Sequence, residues 1–479
     1  RKISENHVPM ASPRTENADT IVALACAIHR FHVDAVSPAA IRQAQLLLLD
    51  TVGCGFAGRD DSVACGIANS ILRDGAGYEC ALIGRTQRAS AANAALVNGV
   101  AIRATDLNDY AIDNSSGQPE TAGHPSDNIP VALAIASARG RSGAETLAAI
   151  VLGYELYARL QKRMNRGGVW DGVTVTGLVA PAMAGWLMGL DETRLAHALA
   201  LGAARAVTPA IVRTGHISAT KSIANGLVAQ SGVQAALMAE AGITGPLAIL
   251  DDPRGLRDLF SQADASAVTT PLPNEGAIMR AHIKAYPCIN TGQGAVAAAL
   301  KLRTILDDPA DIARIEIIMA DYPIVRRQQE DDARTHPQSR EAADHSFPFL
   351  VAVTLLDGAF GVAQFEGERW HDANVKALMK KITMRRDESW NTRAPGAFPC
   401  TLRAQTRDGR ELAVEVHYPP GFSKDGLDER IVMEKFHAIT ARLLDNSARA
   451  AIVDAVMEFH HSRTTSALDT AIAIEGTKP

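Results

Sequence analysis

The stretch Ile41-Arg-Gln-Ala-Gln-Leu-Leu-Leu-Leu-Asp-Thr-Val52 decides how the first half of this chain is read. Its apolar Ile41, Ala44, Leu47, Leu48 and Val52 recur at helical spacing and fall on one face. The same pattern returns over 90–104, 127–139, 143–163, 176–189, 192–204 and 217–241, and most of these runs are bounded by Gly, Asp, Ser or Pro. Only Cys80–Ile83 reads as a strand here. Small residues recur where helices would touch, as in Ala180–Ala184 and Ala235–Ala241. Packing through Ala and Gly lets a core form although only 5% of the chain is aromatic.

From about residue 271 the texture changes. Ile312–Ala320, Phe398–Gln405 and Leu412–His417 are β-branched or alternating runs, and Asp408-Gly409 between the last two is a hairpin-turn signal. Helical patterns lie between them at Gly292–Ile305, Arg340–Asp357 and Asp372–Lys381, and helix resumes at 429–443 and 447–461. The expected fold is mostly α: a large all-helical domain made of 1–270 and 426–479, with a smaller α+β lid domain, 271–425, inserted before the C-terminal helices. Ser462–Pro479 is expected to be a loosely held tail.

Composition narrows the function. The chain has 479 residues, and its 48 Lys+Arg against 53 Asp+Glu leave a net charge of −5. That is not the footprint of a nucleic-acid binder, so an anionic ligand would need a local basic pocket. Cys26, Cys54, Cys65, Cys80, Cys288 and Cys400 include no C-x-x-C pair, which argues against zinc-knuckle and iron–sulfur spacings and for buried thiols in a reducing compartment. The polar Arg1–Asn17 has no apolar h-region, so no signal peptide is expected. Apolar runs such as Val131–Ala136 are too short to span a membrane.

Gly53-Cys-Gly55-Phe-Ala-Gly58 matches a dinucleotide fingerprint by letter, but it follows a helical run rather than a strand, so a helix C-cap with close packing is the better reading. No phosphate-binding G-x-x-x-x-G-K-[ST] loop, H-E-x-x-H or G-x-S-x-G elbow occurs.

Four segments could carry chemistry. Thr105-Asp106-Leu-Asn108-Asp109-Tyr110 is followed by Gly123-His124-Pro-Ser-Asp127-Asn128, just before an apolar helix. His124 is therefore expected near a helix N-terminus, with Ser126 or Asp127 as cap, and a nearby carboxylate could orient the imidazole as an acid/base. In the segment opened by His216, Lys221 stands near the start of a small-residue helix. A cation there opposes the macrodipole, and either an anionic ligand or snorkelling to solvent would relieve the conflict. Lys284-Ala-Tyr286-Pro287-Cys288 precedes another Ala-rich helix, with Cys288 read as an inert thiol. Arg340-Glu-Ala-Ala-Asp344-His345-Ser346 opens a fourth helix as a charged cluster.

In this order the segments resemble the MmgE/PrpD family of 2-methylcitrate dehydratases, cis-aconitate decarboxylases and iminodisuccinate epimerases. The likeness runs from Leu46-Leu-Leu-Leu-Asp-Thr-Val-Gly to about Ile382 and includes Leu-Met-Gly-Leu-Asp191 and Ala-Gly-Ile-Thr-Gly-Pro246. It implies catalytic roles for Asp106, His124 and Lys221, with Asp106 orienting His124. Tyr110, Asp109, Asp171, Lys284 and His345 are then the substrate-binding residues. The His-Pro-Ser-Asp-Asn form is closest to the dehydratase branch. Two positions depart from that pattern: Asp109-Tyr110 stands where the dehydratases carry Asp-Thr, and Gly172, beside Asp171, stands where the family has a second histidine.

The resemblance implies a cytoplasmic homodimer acting in propionate catabolism on a small polycarboxylate substrate. No cofactor, metal, nucleic acid or membrane is expected. The reaction expected is dehydration of a tricarboxylate such as 2-methylcitrate or citrate. Epimerisation or decarboxylation of a related acid is the alternative within enzymes, and a catalytically dead carboxylate binder is the alternative outside them.

Overall fold

The run that opens the reading lies inside a 21-residue helix, α2 (Pro38–Gly58). Ser37 caps it by accepting the Ala40 N–H at 3.1 Å, and Pro38 sits in the first turn, where its missing N–H costs nothing. The helix is buried on nearly every side, so one apolar face understates it. Its buried Gln43 and Gln45 each donate to a main-chain carbonyl, of Ile278 and Met457 respectively.

The fold is that of a computed structural model, which describes residues 20–73, 77–113, 120–165, 167–213, 217–260, 276–393, 396–424 and 426–475. Arg1–Asn17 and His216 lie outside the described residues. Around α2 stand α1 (Thr20–His29), α3 (Ser62–Arg73), α4 (Ala91–Arg103), α5 (Ile129–Arg139), α6 (Gly143–Arg163), α7 (Thr176–Met188), α8 (Glu192–Ala203) and α9 (Thr220–Glu240). Small residues set the crossings, as expected. A methyl group on Gly226 of α9 would stand 3.0 Å from the Leu96 carbonyl oxygen of α4, and one on Gly232 would stand 2.5 Å from the Ala180 Cβ of α7.

Two short hairpins decorate the helices: β1 (Cys80–Leu82) with β2 (Arg85–Ala89), and β3 (Ala111–Asp113) with β4 (Glu120–Gly123). The later unit is a four-stranded sheet in the order β6-β5-β7-β8, made of β5 (Ile312–Met319), β6 (Ile382–Arg386), β7 (Cys400–Thr406) and β8 (Glu411–Val416). β5 pairs with β6 in parallel and with β7 antiparallel. Gly409 turns the β7–β8 hairpin at φ +88°, as Asp408-Gly409 foretold. Helices α10 (Gln293–Ile305), α11 (Pro323–Glu330), α12 (Asp332–Thr335), α13 (Arg340–Ala343), α14 (Phe347–Asp357) and α15 (Ala373–Met379) complete it. The chain then returns through α16 (Glu429–Thr440), α17 (Asn446–Met457) and α18 (Ser466–Ile472).

Two main apolar cores result. One joins the first nine helices to Ile278, Ile283, Val432, Phe436, Leu468 and Ile472; the other runs from Cys288 to Val416. The fold is mostly α with a smaller α+β region. Among the described residues no single helix is long and apolar enough to cross a membrane.

Four expectations are corrected. The region from Ser462 is no loose tail up to Glu475: α18 buries Leu468 and Ile472, and the Ile472 carbonyl accepts the Gly84 N–H at 2.9 Å. Arg340–Asp357 is two helices, because Ser346 caps a new start ahead of Pro348 by accepting the Phe349 N–H. Gly53, Gly55 and Gly58 lie within α2, and none adopts the left-handed conformation of a capping glycine. Their use is close packing: a methyl group on Gly58 would meet the Ala101 carbonyl. Ser126 and Asp127 do not cap α5; both turn toward the loop that follows α4.

Candidate active site

Helix α4 ends at Arg103, and the chain enters an irregular loop, 104–110, in which Asp106 takes φ +50°. The loop closes at Tyr110, whose N–H donates to the His282 carbonyl at 2.8 Å while its own carbonyl receives the His282 N–H. That bridge brings the segment holding Lys284 alongside Asp106. The crossing of α4 and α9 brings Lys221, in the first turn of α9, to the same place. The break between α13 and α14 presents Asp344 and His345, and the Asp344 carbonyl accepts the Ile289 N–H. The group thus forms where the two cores meet.

Its geometry is an alternation of charge. Lys284 Nζ lies 2.7 Å from Asp106 Oδ1 and donates to the Asp106 carbonyl at 2.9 Å. Lys221 Nζ lies 2.9 and 3.0 Å from the two Asp344 oxygens, 3.3 Å from His345 Nδ1 and 3.8 Å from Asp106 Oδ2. Arg103 reaches Asp106 at 3.7 Å and Asp127 at 3.6 Å. Asp106, Lys221, Lys284 and Asp344 are all buried, so Lys221 does not snorkel. Burial pushes Asp106 toward neutrality, but Lys284, Lys221 and Arg103 outweigh it and hold the carboxyl well below the usual range. Asp106, Asp344 and His345 stand close enough to hold a metal ion, yet the Lys221 ammonium already lies among them.

His124 precedes a short 3-10 turn that leads into α5. Its Nδ1 lies 2.5 Å from the Asp109 main-chain carbonyl. A carbonyl only accepts, so Nδ1 carries the hydrogen and Nε2 keeps the basic lone pair. Burial, with Arg103 and Lys284 nearby, pushes the imidazole well below its ordinary value, so the ring is neutral. The expectation that Asp106 orients His124 is therefore corrected: Asp106 is engaged by the lysines, and the Asp109 carbonyl aligns the ring.

The Asp109 carboxylate accepts from Ser126 Oγ at 2.5 Å and from Tyr154 Oη at 2.7 Å, and burial raises it to about 7. Burial likewise lifts Asp127 to about 6. His345 Nδ1 makes a short contact with Asp344, while burial and Lys221 lower its ring to about 4. Cys288 is buried with its thiol pushed far up, in keeping with an inert role.

The structure thus brings Asp106, Lys221, Lys284 and His345 together, with His124 and Asp109 alongside. Tyr110 takes another place, whereas Asp171 borders the group: its charge helps raise the Asp127 carboxyl, and its partner Arg213 interacts with Asp127 and Asp106. The Tyr110 ring packs against His282, with centroids 5.1 Å apart. Asp171 caps the turn at Gly172 by accepting the Val173 N–H at 3.0 Å, and its second oxygen holds Arg213 Nε at 2.6 Å. Arg103 and Tyr154 escape the sequence reading, and Asp344 enters it only as part of a charged cluster with no role assigned. Asp344 stood beside His345 in a quoted segment, whereas nothing marks a tyrosine on a buried helix face as a carboxylate's partner.

This fold and site define a mostly helical protein with a second, sheet-bearing core and a buried, charge-dense centre between the two. The chain belongs to the MmgE/PrpD family: residues 22–268 match the MmgE/PrpD N-terminal domain and residues 286–459 the C-terminal domain. It is 25% identical over 474 residues to a cis-aconitate decarboxylase of Mus musculus, a match covering 92% of this chain and 91% of the relative. It is also 25% identical over 452 residues to a 2-methylcitrate dehydratase of Salmonella typhimurium, covering 88% and 90%. A cis-aconitate decarboxylase of Aspergillus terreus is 23% identical over 440 residues, covering 87% and 88%. These relatives are lyase-type enzymes.

Proposed function

We propose that the chain is a cofactor-independent hydro-lyase that dehydrates a small tricarboxylate, 2-methylcitrate or citrate, to a cis-aconitate-type alkene. The observation that carries this reading is a main-chain-oriented His124 near the buried Lys284, which shares Asp106 with the buried Lys221. The substrate C–H next to a carboxylate is weakly acidic, and His124 Nε2 takes that proton. Lys284 and Lys221 bind the carboxylates and stabilise the enolate-like charge that develops. The imidazolium then returns its proton to the departing β-hydroxyl, which leaves as water, so the step involves no net oxidation or reduction. Asp106 and Asp344 hold the two ammonium groups in place. The reading carries with it a homodimer acting in propionate catabolism.

Purified protein is expected to convert 2-methylcitrate or citrate to an alkene, followed by its ultraviolet absorbance. His124→Ala should lower that rate by roughly 10²–10⁴ while the circular dichroism spectrum is kept. A flat trace with both substrates, from folded wild-type protein, would overturn the reading.

Decarboxylation is the second reading, favoured by the equal identity to the Mus musculus decarboxylase over as much of the chain. Release of carbon dioxide from cis-aconitate marks it. Solvent proton exchange without alkene formation would mark an epimerase. Stabilisation by citrate with no turnover would leave a binder.

A further inference from the structure

Loop 104–110 carries Asp106 and Asp109 but belongs to no helix or sheet, and the left-handed backbone at Asp106 is one that a residue with a Cβ keeps only where its surroundings fix it. Several partners tie it down locally: Asn108 accepts from Arg103 and donates to Ser126, and Asp109 binds Ser126 and Tyr154. Longer-range ties add to these: Lys284 donates to the Asp106 carbonyl, Arg340 to the Ala104 carbonyl, the Tyr110 main chain pairs with His282, and one more comes from farther still. The Leu107 carbonyl accepts from Lys435 Nζ at 2.8 Å, across 328 residues of sequence. Lys435 lies on α16, and its ammonium stands 2.5 Å from Asp50 Oδ1 on α2. Both residues are buried in the helical core.

A buried ion pair is a poor way to join two helices, since apolar residues of similar volume often hold them as well or better. What apolar residues cannot supply is a donor to a carbonyl within a buried loop. We infer that Lys435, held in place by Asp50, is a positioning residue: it fixes the peptide between Leu107 and Asn108 and so the placement of the Asp106 carboxylate against Lys284 and Lys221. The inference rests on reading this loop as part of the active site, though not on which reaction runs there.

The test uses the full chain as Lys435→Met and as the double variant Asp50→Leu with Lys435→Met. Three quantities are measured: turnover of whichever polycarboxylate the wild type converts, resistance to urea, and amide hydrogen exchange of the segment spanning 104–110. Lys435→Met leaves Asp50 buried without its cation, so it should lose stability, and the double variant should regain it. Both should show kcat lowered about 10- to 100-fold with KM changed far less, because a misplacement of about 1 Å is worth that much. In both, segment 104–110 should exchange faster while α2 stays protected. If the stable double variant keeps wild-type kcat and wild-type protection at 104–110, the pair only joins helices and the inference is overturned. If the wild type itself turns over no polycarboxylate, the proposed reaction fails, and exchange at 104–110 in the double variant alone decides the inference.

Discussion

His124 is oriented without a carboxylate beside its ring. A main-chain carbonyl fixes the hydrogen on Nδ1, and burial beside Arg103 and Lys284 keeps the imidazole neutral. His345 is lowered as well, to about 4. A histidine with an ordinary value would lose basicity below about pH 6.5. Here the acidic limb of kcat/KM, which reports the free enzyme, is expected well below that ordinary value. A rate profile from pH 5 to 8 checks this, and a limb at 6.5–7 would show an unshifted imidazole. Local pattern flagged only the segments that hold Asp106, His124, Lys221, Lys284 and His345, as polar loops before apolar helices or a cation at a helix start; the family resemblance singled out the residues. The sequence hid their partners. Lys221 meets Asp344 across 123 residues, and no spacing rule reaches that far.

Elements were legible where periodicity was strong and hidden where the element is short. α6 ran over the 143–163 read from the sequence. β6, Ile382–Arg386, went unseen because it is an edge strand of five residues, whose Ile382-Thr-Met384-Arg alternation is too short to stand out. β2 is likewise short and polar and went unread; it follows a turn at Gly84, φ +71°. α18 was missed because seven residues carry little periodic signal. Its contribution is measurable. Leu468→Ala empties a fully buried site and should cost about 2–5 kcal/mol of unfolding free energy. Urea denaturation checks it, and a loss under about 0.5 kcal/mol, the range of ordinary surface changes, would mean α18 is not docked.

At the scale of the whole molecule, a nearly neutral chain buries Arg103, Lys221 and Lys284 where its two cores meet, and stability there depends on pH. The Asp109 carboxyl is raised to about 7 in the folded chain against an ordinary value near 4 when unfolded. Between those values the folded state holds a proton that the unfolded state does not. The advantage of wild type over Asp109→Asn is therefore expected to shrink as pH rises from about 4 to 7, by at most about 1.4 kcal/mol per unit, and then level off. His124 and His345 lose stability in the opposite sense on acidification but are common to both chains. Paired denaturation curves at pH 5, 6 and 7 test this, and a constant difference would refute it. A last consequence follows from the order of the chain. α2 is made early, and the Lys435 that serves Asp50 and the Leu107 carbonyl arrives only after the sheet-bearing unit has been synthesised. A nascent polypeptide that stalls inside that unit lacks this hold on loop 104–110 and the part of the first core that α16 to α18 supply. On the role proposed for Lys435, full activity would require α16 to be made, and a fragment released before it would leave α2 without the helix that covers it.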